Sequence, residues 1–123
     1  MARTLKRSHA PIFWLLFGAG GLLAALIGPM LVFITGIGVP LGLVTPRDLM
    51  SYPRMLAFAQ SWSGKLFLFA VVTLFLWHAA HRILHTLHDL GVPAGAAAKW
   101  VCYGVPLLAT IAAAVALLAA GFR

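Results

Sequence analysis

The chain has 123 residues, of which 63% are hydrophobic and 9% charged, and its mean hydropathy is +1.01. A soluble domain carries about a quarter charged residues, so this composition excludes an ordinary soluble fold and indicates an integral membrane protein. The net charge of +7 comes from basic residues scattered at the ends of apolar stretches, which excludes nucleic-acid binding and is typical of the flanks of membrane helices.

The apolar stretches predict an all-α fold with three transmembrane helices in a single domain, residues 1–123. A membrane span takes about 20 residues, so the chain has room for three crossings and short loops. We place the spans at about residues 12–38, 63–84 and 99–119. No stretch is left for a separate soluble domain, so any chemistry belongs to the membrane or to a partner.

The first predicted span is longer than a membrane crossing requires, and it contains a cluster of glycines near its start. Residues 12–38 would form a helix of about 40 Å against a hydrocarbon core of about 30 Å, which predicts a tilt or a bend at Pro29. Gly18, Gly20 and Gly21 are expected to let another helix approach closely. A polar connector follows, with a short interfacial helix predicted around residues 55–61.

The second and third spans are separated by a linker rich in glycine, proline and alanine, predicted at residues 90–98. Lys65 and Arg82 stand near the two ends of the second span, and we expect their side chains to snorkel towards water.

The basic residues of the amino terminus predict the orientation of the chain. Arg3, Lys6 and Arg7 are expected to hold the amino terminus in the cytoplasm, and three crossings then place the carboxyl terminus in the periplasm. The start of the first helix and the end of the second therefore share one depth. Trp14 can face the pair formed by His81 and Arg82 at the cytoplasmic boundary.

Residues 76–90, LWHAAHRILHTLHDL, hold four of the five histidines. At the helical periodicity these four fall within an arc of roughly 80°, and we call them the histidine stripe: His78, His81, His85 and His88. One interpretation is that the stripe and its neighbour Arg82 simply occupy the membrane boundary, which fits His85 and His88 well.

A second interpretation of the stripe is a metal or haem site. His81 and His85 could share a metal ion, but the chain adds no ligand beyond the flanking histidines. A haem would need a histidine on another helix, and only His9, outside the membrane, is available. The single Cys102 cannot hold an iron–sulfur cluster, which takes about four thiolates. We therefore predict no metal, haem, flavin or iron–sulfur cluster in this chain.

A third interpretation is a quinone site. A quinol ring needs an apolar slot, an aromatic wall, and polar groups that bind its oxygens and pass protons to water. Trp14 would supply the wall, His81 a hydrogen bond and a proton carrier, and Arg82 electrostatic support for developing negative charge. We predict these three residues as quinone-binding and assign no catalytic residue to the chain.

Five segments together resemble the D-type membrane anchors of bacterial quinol:fumarate reductase. They are PIFWLLFGAGG at residues 11–21, GVPLGL at 38–43, LAFAQSWSGKLFLF at 56–69, the stretch at 76–90, and AKWVCYG at 98–104. The resemblance implies a non-catalytic anchor in the inner membrane, part of a helix bundle shared with a C-type anchor subunit. It also implies a flavoprotein and an iron–sulfur subunit held at the cytoplasmic face.

The resemblance further implies a role in anaerobic respiration, in which the complex oxidises menaquinol and reduces fumarate. In that family the tryptophan, histidine and arginine matching Trp14, His81 and Arg82 belong to a menaquinol site shared with partner subunits, without haem. His78 departs from the family pattern. Two alternatives stay open: an anchor of a succinate dehydrogenase-type complex, and a purely structural small membrane protein.

Overall fold

The structure, a computed structural model, describes residues 10–44, 47–93 and 95–123, without the side chains of residues 10, 13 and 16. These residues form helices and no strand. The helices are α1, Ala10–Phe33, continued by a π-helical turn at Ile34–Gly38; α2, Tyr52–Gln60; α3, Trp62–Asp89; and α4, Ala96–Ala119. The predicted all-α fold is confirmed.

Within the part of the chain described, three helical segments are long and apolar enough to cross a membrane: Phe17–Gly38, Trp62–Asp89 and Ala96–Ala119. The 28 residues of α3 extend over about 42 Å at the usual rise, more than the roughly 30 Å of a hydrocarbon core. Helix α3 is therefore longer than one crossing requires, and the histidine stripe lies at its carboxyl-terminal end.

Helix α3 lies in the middle of the bundle, because it packs against α1 on one side, α4 on the other and α2 at its amino-terminal end. Ala80 and Leu84 are the buried hydrophobic residues of the described chain, whereas large apolar side chains such as Trp14 and Trp100 are about four-fifths exposed. A protein with so small a core gains little from burial in water. Its outer faces are suited to contact with lipid or with other apolar helices.

Two glycines let α1 and α3 pack closely. A Cβ atom on Gly20 would lie 2.6 Å from the carbonyl oxygen of Leu74, and one on Gly21 would lie 2.6 Å from Cε1 of His78. The predicted close approach is confirmed at both positions. At Gly18 no helix of the described chain approaches closely, since an added Cβ would meet nothing within 4 Å.

The first span ends in a π-helical turn at Ile34–Gly38. Pro29 lies inside α1, and the helical hydrogen bonding changes pattern five residues later. Thr35 donates its hydroxyl to the carbonyl of Leu31 at 2.7 Å in this region. The predicted end of the first span at residue 38 coincides with the end of the π-helical turn.

The short helix predicted around residues 55–61 is confirmed as α2, Tyr52–Gln60, which meets α3 at a tight corner. Ser61 forms the corner: its hydroxyl donates to the carbonyl of Phe58 at 2.7 Å and accepts from the amide of Gly64 at 3.0 Å. A Cβ on Gly64 would overlap the Phe58 carbonyl oxygen. Only glycine therefore fits at residue 64 with this geometry.

The carboxyl-terminal segment is bound to this corner. The Gln60 side chain donates to the carbonyl of Ala120 at 2.9 Å, and the amide of Arg123 donates to the Gln60 carbonyl at 3.3 Å. The rings of Trp62 and Phe122 pack with centroids 4.8 Å apart. The end of α4 and the start of α3 are thereby joined.

Lys65 corrects one prediction. Its side chain does not snorkel: the residue is only 6% exposed, its ammonium donates to the carbonyl of Leu117, and Nζ lies 4.6 Å from the centroid of the Phe122 ring. The last carbonyls of a helix have no intrahelical partner and carry negative partial charge, so a cation is stabilised there. The predicted linker, residues 90–98, begins where α3 ends at Asp89, but it is too long at its other end because α4 already begins at Ala96.

Candidate functional site

A pocket of about 210 Å³ lies between α1 and α3, at the end of the bundle where α1 begins. We call it the α1–α3 pocket. Its lining residues are Trp14, Phe17, Gly18, His78, His81 and Arg82. The three residues predicted as a quinone site, Trp14, His81 and Arg82, are thus brought together in one pocket.

Helical spacing explains this arrangement. The lining residues of α1 are at positions 14, 17 and 18 and those of α3 at 78, 81 and 82, so each set follows the i, i+3, i+4 pattern of a single helix face. The two helices run antiparallel, which sets the start of α1 beside the end of α3. The close contact at Gly20 and Gly21 holds the helices together immediately below the pocket.

His81 is the most constrained side chain of the pocket. Its ring stacks on Phe17, with centroids 4.0 Å apart and planes 7° apart. Its Nδ1 lies 3.4 Å from the hydroxyl of Tyr103 on α4. Since Nδ1 is engaged by Tyr103, Nε2 is the ring nitrogen left for a ligand in the pocket.

His78 connects α3 to α1. Its Nδ1 lies 2.9 Å from the backbone carbonyl of Phe17. A carbonyl oxygen only accepts, so Nδ1 of His78 must carry the hydrogen and donate it. Gly21 provides the space for this ring. His78 therefore makes a contact between helices as well as lining the pocket.

Trp14 and Arg82 form the open side of the pocket. Trp14 is 80% exposed, and Arg82 is also exposed. In the described ranges the only ion pair joins Arg54 to Asp48, at 2.8 Å. The guanidinium of Arg82 thus has no carboxylate partner among these residues, and its positive charge favours a ligand oxygen that gains negative charge.

The remaining histidines of the stripe lie outside the pocket. The ring of His85 meets the ring of His81 edge to face, with centroids 4.3 Å apart, and His85 and His88 are both exposed. Their positions continue the polar face of α3 beyond the apolar part of the bundle.

The sequence did not reveal two contributors to the site, Phe17 and Tyr103. Phe17 follows Trp14 by three residues, so helical spacing could have placed it on the same face. Tyr103 lies in the segment AKWVCYG, but no sequence pattern shows which face of α4 meets the histidine stripe. Its ring stacks at 6.2 Å on Trp77, whose Nε1 donates to Thr110 at 3.1 Å.

The described residues form three long apolar helices, and a pocket lined by aromatic residues, histidines and an arginine lies at one end of their bundle. These features define the class: an all-helical, multi-pass membrane protein with a polar site at the end of its bundle. The family model for the D subunit of fumarate reductase matches residues 4–118. The chain belongs to this fumarate reductase family, as the five segments predicted.

Relatives in the same family are similar over most of their length. The fumarate reductase D subunit of Vibrio cholerae serotype O1 (strain M66-2) is 45% identical over 112 residues, covering 91% of this chain and 83% of the relative. The D subunit of Aliivibrio fischeri (strain MJ11) is 42% identical over 109 residues, covering 89% and 90%. That of Vibrio campbellii (strain ATCC BAA-1116) is 47% identical over 98 residues, covering 80% and 78%.

Proposed function

We propose that this chain is a membrane-anchor subunit of fumarate reductase that contributes one wall of a menaquinol-oxidation site in the α1–α3 pocket. The observation that carries the proposal is the convergence of Trp14, His81 and Arg82 on that pocket. Membership of the fumarate reductase family supports the anchor role. The chain itself is non-catalytic in this proposal, since the centres that accept electrons belong to other subunits.

The chemistry of quinol oxidation fits the side chains of the pocket. The ring of a menaquinol is flat and apolar, and Trp14 and Phe17 offer aromatic surfaces against which it packs. Each ring oxygen must lose a proton as electrons leave. Nε2 of His81 accepts a proton from a ring oxygen, and the permanent charge of Arg82 stabilises negative charge that develops there.

The proposed assembly places the pocket beside partner subunits. The pocket is open at Trp14 and Arg82, and a C-type anchor and an iron–sulfur subunit would complete it and carry electrons to a flavoprotein that reduces fumarate. The exposed apolar faces of α1 and α4 suit contact with the second anchor and with lipid. The proposed cytoplasmic position of the pocket rests on Arg3, Lys6 and Arg7, which lie outside the described residues.

The test uses the assembled complex in membranes. We expect His81→Gln to slow menaquinol-driven fumarate reduction on the order of a hundredfold, the scale of a lost acid–base group. Arg82→Leu should slow it by a similar factor, because it removes a charge that stabilises the negative charge developing on the quinol oxygen. Fumarate reduction driven by a soluble dye such as reduced benzyl viologen should stay unchanged, because it bypasses the quinol.

The matched control is His88→Gln, which alters an exposed histidine of the same stripe outside the pocket. It should leave both activities unchanged. Normal quinol oxidation in the His81 and Arg82 variants would remove the pocket from the quinol site and favour a purely structural anchor.

A further inference from the structure

A second pocket lies beside the first, on the other side of Tyr103. Its volume is about 350 Å³, and Ala96, Lys99, Trp100 and Tyr103 line it along one face of α4. We call it the α4 pocket. The hydroxyl of Tyr103 lies 3.4 Å from Nδ1 of His81, and His81 lines the α1–α3 pocket. The pair of His81 and Tyr103 therefore joins two separate pockets at the same end of the bundle.

We propose that His81 and Tyr103 form a proton relay, through which a proton released by a quinol in the α1–α3 pocket reaches water in the α4 pocket. This inference rests on the proposed function, because it requires quinol oxidation beside His81. A bound ring fills the α1–α3 pocket and keeps water from Nε2. A proton taken up there needs an exit on the opposite side of the imidazole, where Tyr103 lies.

The transfer balances in atoms and electrons. Menaquinol loses two electrons to the redox centres of the fumarate reductase complex, and fumarate, with two protons, becomes succinate. The relay carries one of the two quinol protons. The O–H bond of the quinol breaks and an N–H bond forms at Nε2 of His81. At the same time the proton on Nδ1 of His81 passes to the Tyr103 oxygen. The original hydroxyl proton of Tyr103 then leaves to water.

The relay resets when the quinone leaves. Water then reaches Nε2 of His81 through the open α1–α3 pocket and removes its proton, and Nδ1 regains a proton through Tyr103. Both pockets lie at the same end of the bundle, so no net proton transfer across the membrane is involved.

The other titratable and charged groups around His81 are less suited to this role. Nδ1 of His78 is engaged by the Phe17 carbonyl, and Arg82 stays protonated and cannot accept. The ring of His85 meets His81 edge to face without a hydrogen bond between them in the described structure. Tyr103 is the group that hydrogen-bonds the His81 ring.

Packing holds the tyrosine in place for this contact. Its ring stacks on Trp77, which is fixed in turn by a hydrogen bond to Thr110. The 3.4 Å separation is at the long end of hydrogen bonds, and we expect it to shorten when the His81 ring becomes charged, since bonds from ionised donors are shorter.

Tyr103→Phe in the assembled complex tests the relay, because it removes the hydroxyl and keeps the ring. We expect kcat for menaquinol-driven fumarate reduction to fall about tenfold, a modest acid–base effect, with KM unchanged and a larger solvent deuterium isotope effect. Dye-driven fumarate reduction should stay normal. The matched control is Tyr52→Phe, which removes the hydroxyl of a tyrosine in α2, 77% exposed and distant from both pockets.

A second variant makes the test independent of how well Tyr103→Phe assembles. Ala96→Leu places a larger side chain in the α4 pocket and should displace water from it, which lowers kcat and raises the isotope effect. The control is Ala97→Leu, an exposed neighbour that does not line the pocket. If both Tyr103→Phe and Ala96→Leu oxidise quinol at the normal rate and with the normal isotope effect, the relay is wrong.

The outcomes also separate the relay from the proposed function. Slow quinol oxidation in His81→Gln together with normal rates in Tyr103→Phe overturns the relay and leaves the quinol site in place. Normal quinol oxidation in His81→Gln overturns both. Slow oxidation in His81→Gln, Tyr103→Phe and Ala96→Leu, with normal controls, supports both.

Discussion

The imidazole of His81 lies parallel to the phenyl ring of Phe17, with 4.0 Å between the ring centroids. The stack joins α3 to α1 across the α1–α3 pocket and fixes the plane of the imidazole. With the plane fixed and Nδ1 directed at Tyr103, the second nitrogen has a defined position. The site thus contains one histidine whose orientation is set by two other helices.

Phe17→Leu should loosen this orientation while keeping an apolar side chain in place. An aromatic pair is worth about 1 kcal/mol beyond its buried area, so we expect quinol oxidation by the assembled complex to slow roughly fivefold, with dye-driven fumarate reduction unchanged. Phe33→Leu is the matched control, because Phe33 is an exposed phenylalanine of the same helix at its far end. Equal rates in the two variants would show that the stack does not orient His81.

Gly20→Ala should separate α1 from α3. The new methyl group would lie 2.6 Å from the Leu74 carbonyl oxygen, and backbone atoms cannot rotate away, so the helices must move apart. We expect less assembled complex in the membrane and slower quinol oxidation. Gly21→Ala should be milder, since its methyl group meets the side chain of His78, which can turn away at the cost of its hydrogen bond to the Phe17 carbonyl. Gly104→Ala is the control: its methyl group would meet nothing within 4 Å, so this variant should behave like the unmodified chain. A Gly20→Ala complex with normal yield and activity would contradict the close packing of α1 against α3.

Lys65→Met should weaken the joint between α3 and α4. The substitution keeps an unbranched side chain but removes the ammonium that binds the Leu117 carbonyl and lies over Phe122. A hydrogen bond from a charged donor contributes about 2 kcal/mol, so we expect the Tm of the purified complex in mild detergent to fall. Lys99→Met, at an exposed position in the first turn of α4, should leave Tm unchanged or raise it slightly, because a cation is unfavourable at a helix amino terminus.

Gly64→Ala should open the corner between α2 and α3. The methyl group would occupy the position of the Phe58 carbonyl oxygen, and the hydroxyl of Ser61 is also close. We expect a lower Tm of the complex and less protein in the membrane. Gly95→Ala is the control, since residue 95 precedes α4 and an added Cβ there meets nothing within 4 Å. Identical Tm values for the two variants would contradict the role of the corner.

The helices and the central members of the candidate site could be predicted because both depend on short-range regularities. Hydropathy sets the depth of each residue in a membrane, and helical periodicity sets the face on which it lies. Trp14, His81 and Arg82 share one depth, and α1 and α3 are consecutive long antiparallel helices. These two regularities are sufficient to bring the three residues to one pocket.

Contacts that depend on the rotation of α4 could not be predicted in this way. The alanine-rich sequence of α4 has no strongly polar face to show which side meets α3, so neither the contact of Tyr103 with His81 nor that of Leu117 with Lys65 is visible in the sequence. The burial of Lys65 also reverses the usual expectation for a lysine near the end of a span. The Lys65 ammonium binds a carbonyl group at the end of α4, and the sequence gives no sign of this partner.

The partner of Lys65 lies 52 residues later in the chain, and this separation has a consequence for biosynthesis. When α3 leaves the ribosome, the carbonyl of Leu117 has not yet been made, and the ammonium must stay hydrated at the membrane surface. We expect α3 to settle at its final depth only after α4 has been inserted, so that the two helices enter the bilayer as a hairpin. Ribosome-bound chains that stop before residue 117 should therefore keep Lys65 accessible to an amine-reactive reagent.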